Sequence, residues 1–177
     1  VKATIAEIGA AQSLDVTVDQ IARRAGMSKA LAHHYFGGKD QIFLAAMRFI
    51  LSEYSAEVRR ELRKAKTPAA RAEAIIRASF DESCFDPATV SAWMTLYGSS
   101  RTNVETYRLL IVYQARLRSN LTHALRPISG QPEQDAETLA ALIDGLYLRA
   151  ALSDTGSAPA ACAQALSLLN TLIGSKP

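Results

Sequence analysis

The chain has 177 residues, of which 49% are hydrophobic and 21% are charged; this composition excludes a disordered tail and is typical of a globular protein with a substantial core. Its net charge of +3 permits a polyanionic partner without requiring one. Cys84 and Cys162 lie far apart in sequence without nearby cysteine or histidine companions, so we predict no disulfide framework, no metal site and no cofactor.

Apolar residues recur at spacings of three and four along the chain, which predicts an all-α fold of about nine helices. The first helix is predicted to end at about Gln12, and a second begins after Thr17, where Thr-Val-Asp-Gln matches a capping box. Gly26 is predicted to end that helix, because glycine tolerates the positive φ common at helix ends. Ser28 is predicted to cap a short third helix, which Gly37-Gly38 ends.

Proline follows a capping residue at two later helix starts. Thr67-Pro68 and Asp86-Pro87 each place an N-cap side chain before a proline at the first helical position. The other later helices are predicted at about 39–66, 103–126, 133–153 and 160–172, with the loops ISGQP and DTGSAP before the last two.

The second and third helices, joined through Ala25-Gly26-Met27, have the spacing of a helix-turn-helix over Thr17 to Phe36. Periodicity predicts a face of the third helix toward the first two helices, made of Met27, Leu31, Ala32 and Phe36. The outward residues, suited to base edges, are Lys29, Ala30 and His33. The donors near the carboxyl end, suited to phosphate oxygens, are His34, Tyr35 and Lys39. Thr17 and the backbone N–H groups after it are a further predicted phosphate site, because a helix start presents unpaired donors.

Ordinary structural roles are open to the same side chains. Adjacent histidines are usually surface residues, and they diverge by about 100° on a helix, which serves metal binding poorly. Lys39 can be a solvated lysine, and Tyr35 can be a core residue with a wet hydroxyl. Their occurrence together favours DNA, as does the concentration of positive charge: between Thr17 and Arg48, five cationic side chains accompany two acidic ones.

The segment TVDQIARRAGMSKALAHHYF, from Thr17 to Phe36, followed by GGKD, resembles the amino-terminal DNA-binding domain of the TetR family of transcriptional repressors. The resemblance implies a DNA-binding domain over residues 1–38, a ligand-binding and dimerisation domain over 39–177, and a homodimer that a small molecule releases from operator DNA. The segments SAW at 91–93, RLRSNL at 116–121 and LIDGLYLRAAL at 142–152 resemble the BetI-type repressors of glycine-betaine synthesis, which respond to choline. The basic arm usual before the first helix is absent, so we expect residues upstream of Val1.

A choline-like inducer needs aromatic faces, because a quaternary ammonium group donates no ordinary hydrogen bond. Trp93 is the strongest single candidate, and Tyr97 lies one helical turn further on the same face. The other candidate ligand-binding residues are Phe80, Phe85 and Tyr107; Tyr113 belongs to the same group of aromatics, most of which are expected in the core. Asp86 or Glu82 can add a negative charge, although Asp86 is equally suited to cap a helix.

The last two predicted helices are rich in small and apolar residues. One stripe contains Leu139, Ile143, Leu146 and Ala150, and the other contains Ala161, Ala165, Leu169 and Leu172. Gly145 costs about 1 kcal/mol inside a helix, which indicates a packing reason such as contact with a partner subunit. A monomeric bundle can use the same stripes, but reading two successive major grooves requires a dimer.

Two other functions stay open at this point. One is an enzyme on a helical scaffold, which the absence of nucleophile-elbow, phosphate-loop and His-Glu-x-x-His motifs disfavours. The other is a TetR-type regulator of a different regulon, such as efflux or catabolism, that senses another lipophilic or cationic compound. No apolar run is long enough to span a bilayer and the start lacks a secretory signal, so we predict a cytoplasmic protein with no membrane partner.

Overall fold

The computed structural model describes residues 1–11, 16–36, 38–153 and 156–174. These residues form nine α-helices and a short 3-10 turn at Glu82–Phe85, and they contain no strand. The helices are α1 Lys2–Ala11, α2 Val18–Arg24, α3 Lys29–Phe36, α4 Lys39–Lys64, α5 Pro68–Ser79, α6 Pro87–Ser99, α7 Val104–Leu125, α8 Pro132–Ala151 and α9 Ala158–Gly174. The predicted all-α fold of about nine helices is therefore confirmed for the described residues. Gln12, Gly37 and part of the DTGSAP loop lie outside them.

Capping side chains set the starts of α5 and α6, as the two proline pairs predicted. The Ala70 backbone N–H donates to Thr67 Oγ1 at 3.1 Å. The N–H groups of Ala88 and Thr89 donate to Asp86 Oδ1 at 2.9 and 3.4 Å. In both helices the proline follows at the first position, where no intrahelical N–H is needed. Asp86 thus has the capping role that was its alternative in the sequence.

The chain divides into two compact units. The first contains the described residues of Val1–Glu53 together with Asp86–Ile111, and the second contains Tyr54–Phe85 with those of Val112–Pro177. These units are groupings by contact and do not test the predicted functional division after residue 38, which stays a prediction.

The first unit is built around α1, α2 and α3 and the start of α4. Its core consists of Ile8, Val16, Val18, Ile21, Ala22, Ala32 and Ile42, with Met27, Phe36 and Phe43 packed against it. On its other side α1 packs against α6 so closely that a Cβ built on Gly9 falls 2.7 Å from the Cβ of Ala88. This core holds α2 and α3 at a fixed angle on α1, and that is what positions the surface described next.

In the second unit α9 packs against both α5 and α8. The most deeply buried residues of this unit include members of both predicted apolar stripes, which are Leu139 and Ile143 from the first and Ala165 and Leu169 from the second. The other large side chains buried with them are Ile75, Ile76, Leu121 and Leu125. No helix among the described residues is long and apolar enough to cross a membrane.

Candidate nucleic-acid interface and ligand site

The turn between α2 and α3 has the geometry that its sequence predicts. Gly26 has φ 66°, a left-handed conformation that glycine adopts without a steric cost. The N–H of Met27 then donates to the carbonyl oxygen of Ala22 at 3.0 Å, which folds the chain back after the helix ends. Because the turn is closed by backbone hydrogen bonds and Met27 packs on the core, α3 leaves it in a defined direction.

Thr17 forms the predicted capping box at the start of α2. The Gln20 backbone N–H donates to Thr17 Oγ1 at 3.2 Å, and the Thr17 backbone N–H donates to Gln20 Oε1 at 2.7 Å. The cap engages both the hydroxyl and the N–H of Thr17. The phosphate site expected at this helix start stays a prediction, and it would have to use mainly the backbone N–H groups that follow Thr17.

Ser28 caps α3, since the Leu31 N–H donates to Ser28 Oγ at 3.2 Å. Ala32 faces inward and is 1% exposed. The predicted DNA-contacting residues on α3 and just after it are all exposed: Lys29, Ala30, His33, His34, Tyr35 and Lys39. The side chain of Tyr35 is 71% exposed. The structure thus gathers on one helix and its exit the groups that the sequence singled out.

Leu31 departs from the prediction. The periodicity placed it on the buried face with Ala32, but its side chain is 43% exposed. An α-helical repeat of 3.6 puts positions 31 and 32 about 100° apart on α3, and of the two only Ala32 belongs to the core of the first unit. Leu31 therefore adds an apolar group to the outward surface of α3.

Two of the basic side chains near this surface are paired with carboxylates. Lys29 Nζ lies 2.9 Å from Asp19 Oδ2, which links the start of α3 to the first turn of α2. Arg24 Nε lies 2.6 Å from Glu7 Oε1, which links α2 to α1. In each pair at least one side chain is exposed to solvent, so the ion pair contributes little to the free energy of unfolding. Its main effect is to orient the cationic side chain.

The aromatic ligand candidates of the first unit differ in exposure. Trp93 is buried at 7% exposure, and its ring lies 5.9 Å from that of Tyr97 between centroids, tilted by 31°. The two residues are one turn apart on α6, as predicted. Tyr107 on α7 is exposed. The structure therefore brings Trp93 and Tyr97 together.

Phe80 and Phe85 belong to the second unit. Phe80 is buried at the end of α5. Phe85 is half-buried in the 3-10 turn, where its ring lies 5.1 Å from that of Tyr147 at 57°. The Tyr147 hydroxyl donates to the Cys84 carbonyl oxygen at 2.8 Å, so α8 holds this turn by a ring contact and a hydrogen bond.

A carboxylate that accepts a hydrogen bond from a tyrosine lies in the same unit, and the sequence did not single it out. The Tyr113 hydroxyl donates to Asp144 Oδ1 at 2.9 Å, joining α7 to α8. The ring of Tyr54 on α4 lies 6.0 Å from that of Tyr113, edge to face at 61°. We call Tyr54, Tyr113 and Asp144 the tyrosine-carboxylate cluster. The signal available in the sequence was one acidic residue within the apolar run LAALIDGLYL.

Burial and charge both act on Tyr54. Its hydroxyl lies 2.9 Å from Ser79 Oγ, and Ser79 Oγ donates to the carbonyl oxygen of Ile75. Burial raises the pKa of Tyr54 well above its ordinary value; the hydrogen bond with Ser79 opposes this rise, and electrostatic interactions with Cys84 and Asp144 add to it.

The cysteines and the acidic residues give no metal centre in the described part of the chain, where no group of three or more potential ligands occurs. Burial raises the pKa of the Cys84 thiol to about 12, with the charges of Asp81 and Glu57 as further causes. A thiol with such a pKa is almost entirely protonated at neutral pH and is a poor nucleophile.

Two family models together match most of the chain. The model described as "Bacterial regulatory proteins, tetR family" matches residues 2–46, and "BetI-type transcriptional repressor, C-terminal" matches residues 68–174. Both describe transcriptional regulators and neither describes an enzyme, which removes the enzyme alternative.

Curated relatives agree with these models. The chain is 45% identical over 166 residues to the HTH-type transcriptional regulator BetI of Brucella anthropi, covering 92% of this chain and 86% of that protein. It is 44% identical over 154 residues to the protein of the same name from Rhizobium meliloti, covering 86% and 76%.

Solved structures show the same fold. A putative transcriptional regulator from Pseudomonas aeruginosa matches with a TM-score of 0.84 at 23% identity, covering 98% of this chain and 88% of that one. A putative transcriptional regulator from Saccharomonospora viridis in complex with choline matches with a TM-score of 0.82 at 20% identity, covering 99% and 93%. With a helix-turn-helix held on a buried core, a tetR-family match over that region and a BetI-type match over most of the rest, this chain belongs to the TetR family of bacterial transcriptional regulators and is a repressor of the BetI type.

Proposed function

We propose that the chain binds a palindromic operator as a homodimer, represses choline and glycine-betaine genes, and leaves the operator when a choline-like cation binds. The observation that carries the DNA half is the exposed row of donors on α3, a helix whose inner side is fixed by the buried Ala32. A helix of this size fits the major groove, and its outward side chains meet base edges there. Acting on bacterial operator DNA also places the protein in the cytoplasm.

Each predicted DNA contact has a role in this proposal. The side chains suited to base edges are Lys29, Ala30 and His33, and those suited to phosphates are His34, Tyr35 and Lys39. Thr17 and Ser28 start the two helices and present backbone N–H groups to the DNA backbone. Phosphate contacts position the protein and base contacts select the sequence, so the two sets are expected to respond differently to mutation.

The homodimer is proposed to form through α8 and α9. Several residues of their apolar stripes, such as Leu139 and Leu169, are already buried in the core of the second unit. A partner subunit would therefore contact the half-buried residues of the stripes, among them Leu146 and Leu172. Within the described part of the chain, a Cβ built on Gly145 meets no atom within 4 Å beyond its chain neighbours and the backbone of its own helix. The close packing that would explain this helical glycine is therefore expected from a second copy.

The ligand is proposed to be a choline-like quaternary ammonium compound. The curated relatives carry the BetI name, and one neighbour in fold is described as a complex with choline. Trp93 and Tyr97 supply adjacent aromatic faces, and Phe80, Phe85 and Tyr107 stay candidates. The ligand need only prefer the conformation that does not bind DNA: about 1–3 kcal/mol of coupling changes operator affinity by about 5- to 150-fold.

Replacing Lys39 with alanine tests the DNA half. The duplex is first selected from a random-sequence pool by the purified protein, and its affinity is then measured from low to physiological salt. Loss of one phosphate contact should weaken binding and reduce the log–log salt slope by about one unit. Lys66→Ala is the matched control, because it removes the same charge from an exposed position between α4 and α5.

If Lys39→Ala leaves both affinity and slope at the Lys66→Ala values, the phosphate assignment is wrong. For the ligand half, calorimetry with choline, betaine aldehyde and larger hydrophobic cations distinguishes the BetI-type regulon from another one. Binding of only the hydrophobic cations would favour efflux or catabolism genes as the targets.

A further inference from the structure

The first two turns of α7 have an exposed apolar face. Val104 is 64% exposed, Tyr107 53% and Ile111 43%, and their spacing of three and four residues puts them on one side of the helix. The opposite side is buried, since Thr106 and Leu110 are 2% and 8% exposed. Single exposed apolar residues are ordinary on a protein surface, whereas a row of them over two turns indicates contact with another molecule.

Local hydrogen bonds order this face without a partner. Asn103 caps α7, because the backbone N–H groups of Glu105 and Thr106 donate to Asn103 Oδ1 at 3.0 and 3.1 Å. The Asn103 carbonyl oxygen accepts from the N–H of Tyr107 at 3.0 Å. A surface that is already ordered loses little conformational entropy when it binds, so this part of α7 is suited to a rigid contact.

The charges beside the apolar face are of both signs. Arg108 Nη1 lies 2.9 Å from Glu105 Oε1 on the same helix, and Arg48 Nη2 of α4 lies 4.0 Å from Glu105 Oε2. The side chains of Arg108 and Glu105 are 71% and 47% exposed, so each can also reach a charge on another molecule. A surface that carries one acid and one base beside an apolar row is complementary to itself when two copies meet in opposite directions.

We propose that this face of α7 packs against the same face of a second copy of the chain, with the two helices antiparallel. The two-fold axis passes between positions 107 and 108, so Val104 of each copy contacts Ile111 of the other. These two positions lie only about 20° apart around the helix, so both point at the second copy. The two Tyr107 rings meet on one side of this apolar contact, and on the other side Glu105 of each copy lies beside Arg108 of the other.

A second copy fits this face better than a small ligand or a membrane does. A ligand pocket encloses most of its ligand, whereas more than half of the Tyr107 side chain is exposed. A helix that lies on a membrane surface has a polar side rich in Lys and Arg, whereas Glu105 here accompanies Arg108.

This contact goes beyond the proposed pairing of α8 with α9, because its residues belong to the first unit. The first unit also carries α3. A contact between the first units of two copies limits the spacing between their α3 helices, and the reading of successive major grooves depends on that spacing.

Disulfide cross-linking of the full chain tests the register. Val104→Cys combined with Ile111→Cys should give a covalent dimer on a non-reducing gel after mild oxidation. The two thiols cannot bridge within one chain, because seven residues of helix separate their α carbons by about 10 Å. Val112→Cys combined with Ser119→Cys is the matched control, since both positions are exposed on α7 at the same spacing but lie outside the proposed contact. The control pair should stay monomeric on the gel, and equal yields from the two pairs overturn the register.

Ile111→Glu tests the contribution of the contact to association. It places a carboxylate in an apolar contact twice per pair of chains, so self-association measured by sedimentation equilibrium should weaken about tenfold or more. The exposure of Ile111 leaves the fold of the variant intact. Asn120→Glu adds the same charge at an exposed position of the same helix and should associate as wild type does. Equal association constants for the two variants overturn the contact.

Failure of this inference is distinguishable from failure of the proposed homodimer. If wild type forms dimers and Ile111→Glu forms them equally well, the α7 contact is overturned while the homodimer through α8 and α9 stands. If wild type is monomeric at every concentration tested, both are overturned.

Discussion

Gly9 is predicted to be a position where one methyl group disrupts the first unit. Its α carbon lies where α1 crosses α6, and an alanine Cβ would fall 2.7 Å from Ala88 Cβ, 3.2 Å from Ala88 Cα and 3.3 Å from Ala88 N. Carbon atoms in contact prefer about 3.5–4.0 Å, so the two helices must separate by about 1 Å. Because two of the three neighbouring atoms are backbone, side-chain rotation in Ala88 gives no relief.

The net effect of Gly9→Ala combines two opposing terms. Overpacking of this kind costs about 1–3 kcal/mol. Alanine gains up to about 1 kcal/mol over glycine in a helix, which offsets part of that loss. We therefore expect a net loss of about 1–2 kcal/mol in the free energy of unfolding.

Gly98→Ala isolates the steric term. Gly98 lies near the end of α6, and among the described residues a Cβ built there meets no atom within 4 Å beyond its chain neighbours and the backbone of its own helix. Both variants share the helix-propensity gain, so the difference between them is expected to be about 1–3 kcal/mol, or about 2–12 °C in Tm for a chain of this size. Thermal and urea denaturation followed by circular dichroism measures it. Equal or greater stability of Gly9→Ala relative to Gly98→Ala would refute the close approach of α1 to α6.

Two further predictions concern charge. Asp19→Asn removes the carboxylate paired with Lys29, so we expect tighter binding to non-specific duplex DNA and a steeper salt slope; titration of random-sequence duplex checks this, and an unchanged slope contradicts it. Stability should fall as pH rises above about 9, because the unfolded chain then loses protons from Cys84 and Tyr54 while burial keeps them protonated in the folded chain. With a pKa of 9.0 in the unfolded chain and about 12 in the folded one, Cys84 contributes a loss of about 1.4 kcal/mol at pH 10. Urea denaturation at pH 8 and 10 measures it, and Cys84→Ala should show a smaller loss; an equal loss argues against the buried thiol.

Local sequence signals predicted the helices well because their causes are local. The caps at Thr17, Thr67 and Asp86 form between residues at most three apart, and the positive φ of Gly26 depends on its lack of a side chain. Such signals act wherever the segment lies in the fold. The exposed donors of α3 were predictable for the same reason, since they lie on one short helix next to a recognisable turn.

Leu31 shows where periodicity fails. A repeat of 3.6 residues predicts which side chains lie on the same face of a helix. How much of that face a neighbouring helix buries depends on the angle at which the two helices cross. Here Ala32 is buried and Leu31 is exposed, although both were predicted on the buried side.

The amino-acid sequence by itself determined the all-α fold, the helix-turn-helix and its outward residues, because capping, turn chemistry and helical period act over a few residues. Only the tertiary structure decided which distant side chains meet. Tyr113 and Asp144 are 31 residues apart and Tyr147 and Cys84 are 63 apart, and their hydrogen bonds exist only once α7, α8 and the 3-10 turn have packed. Long-range contacts of this kind depend on the angles and registers of whole helices, which no local pattern encodes.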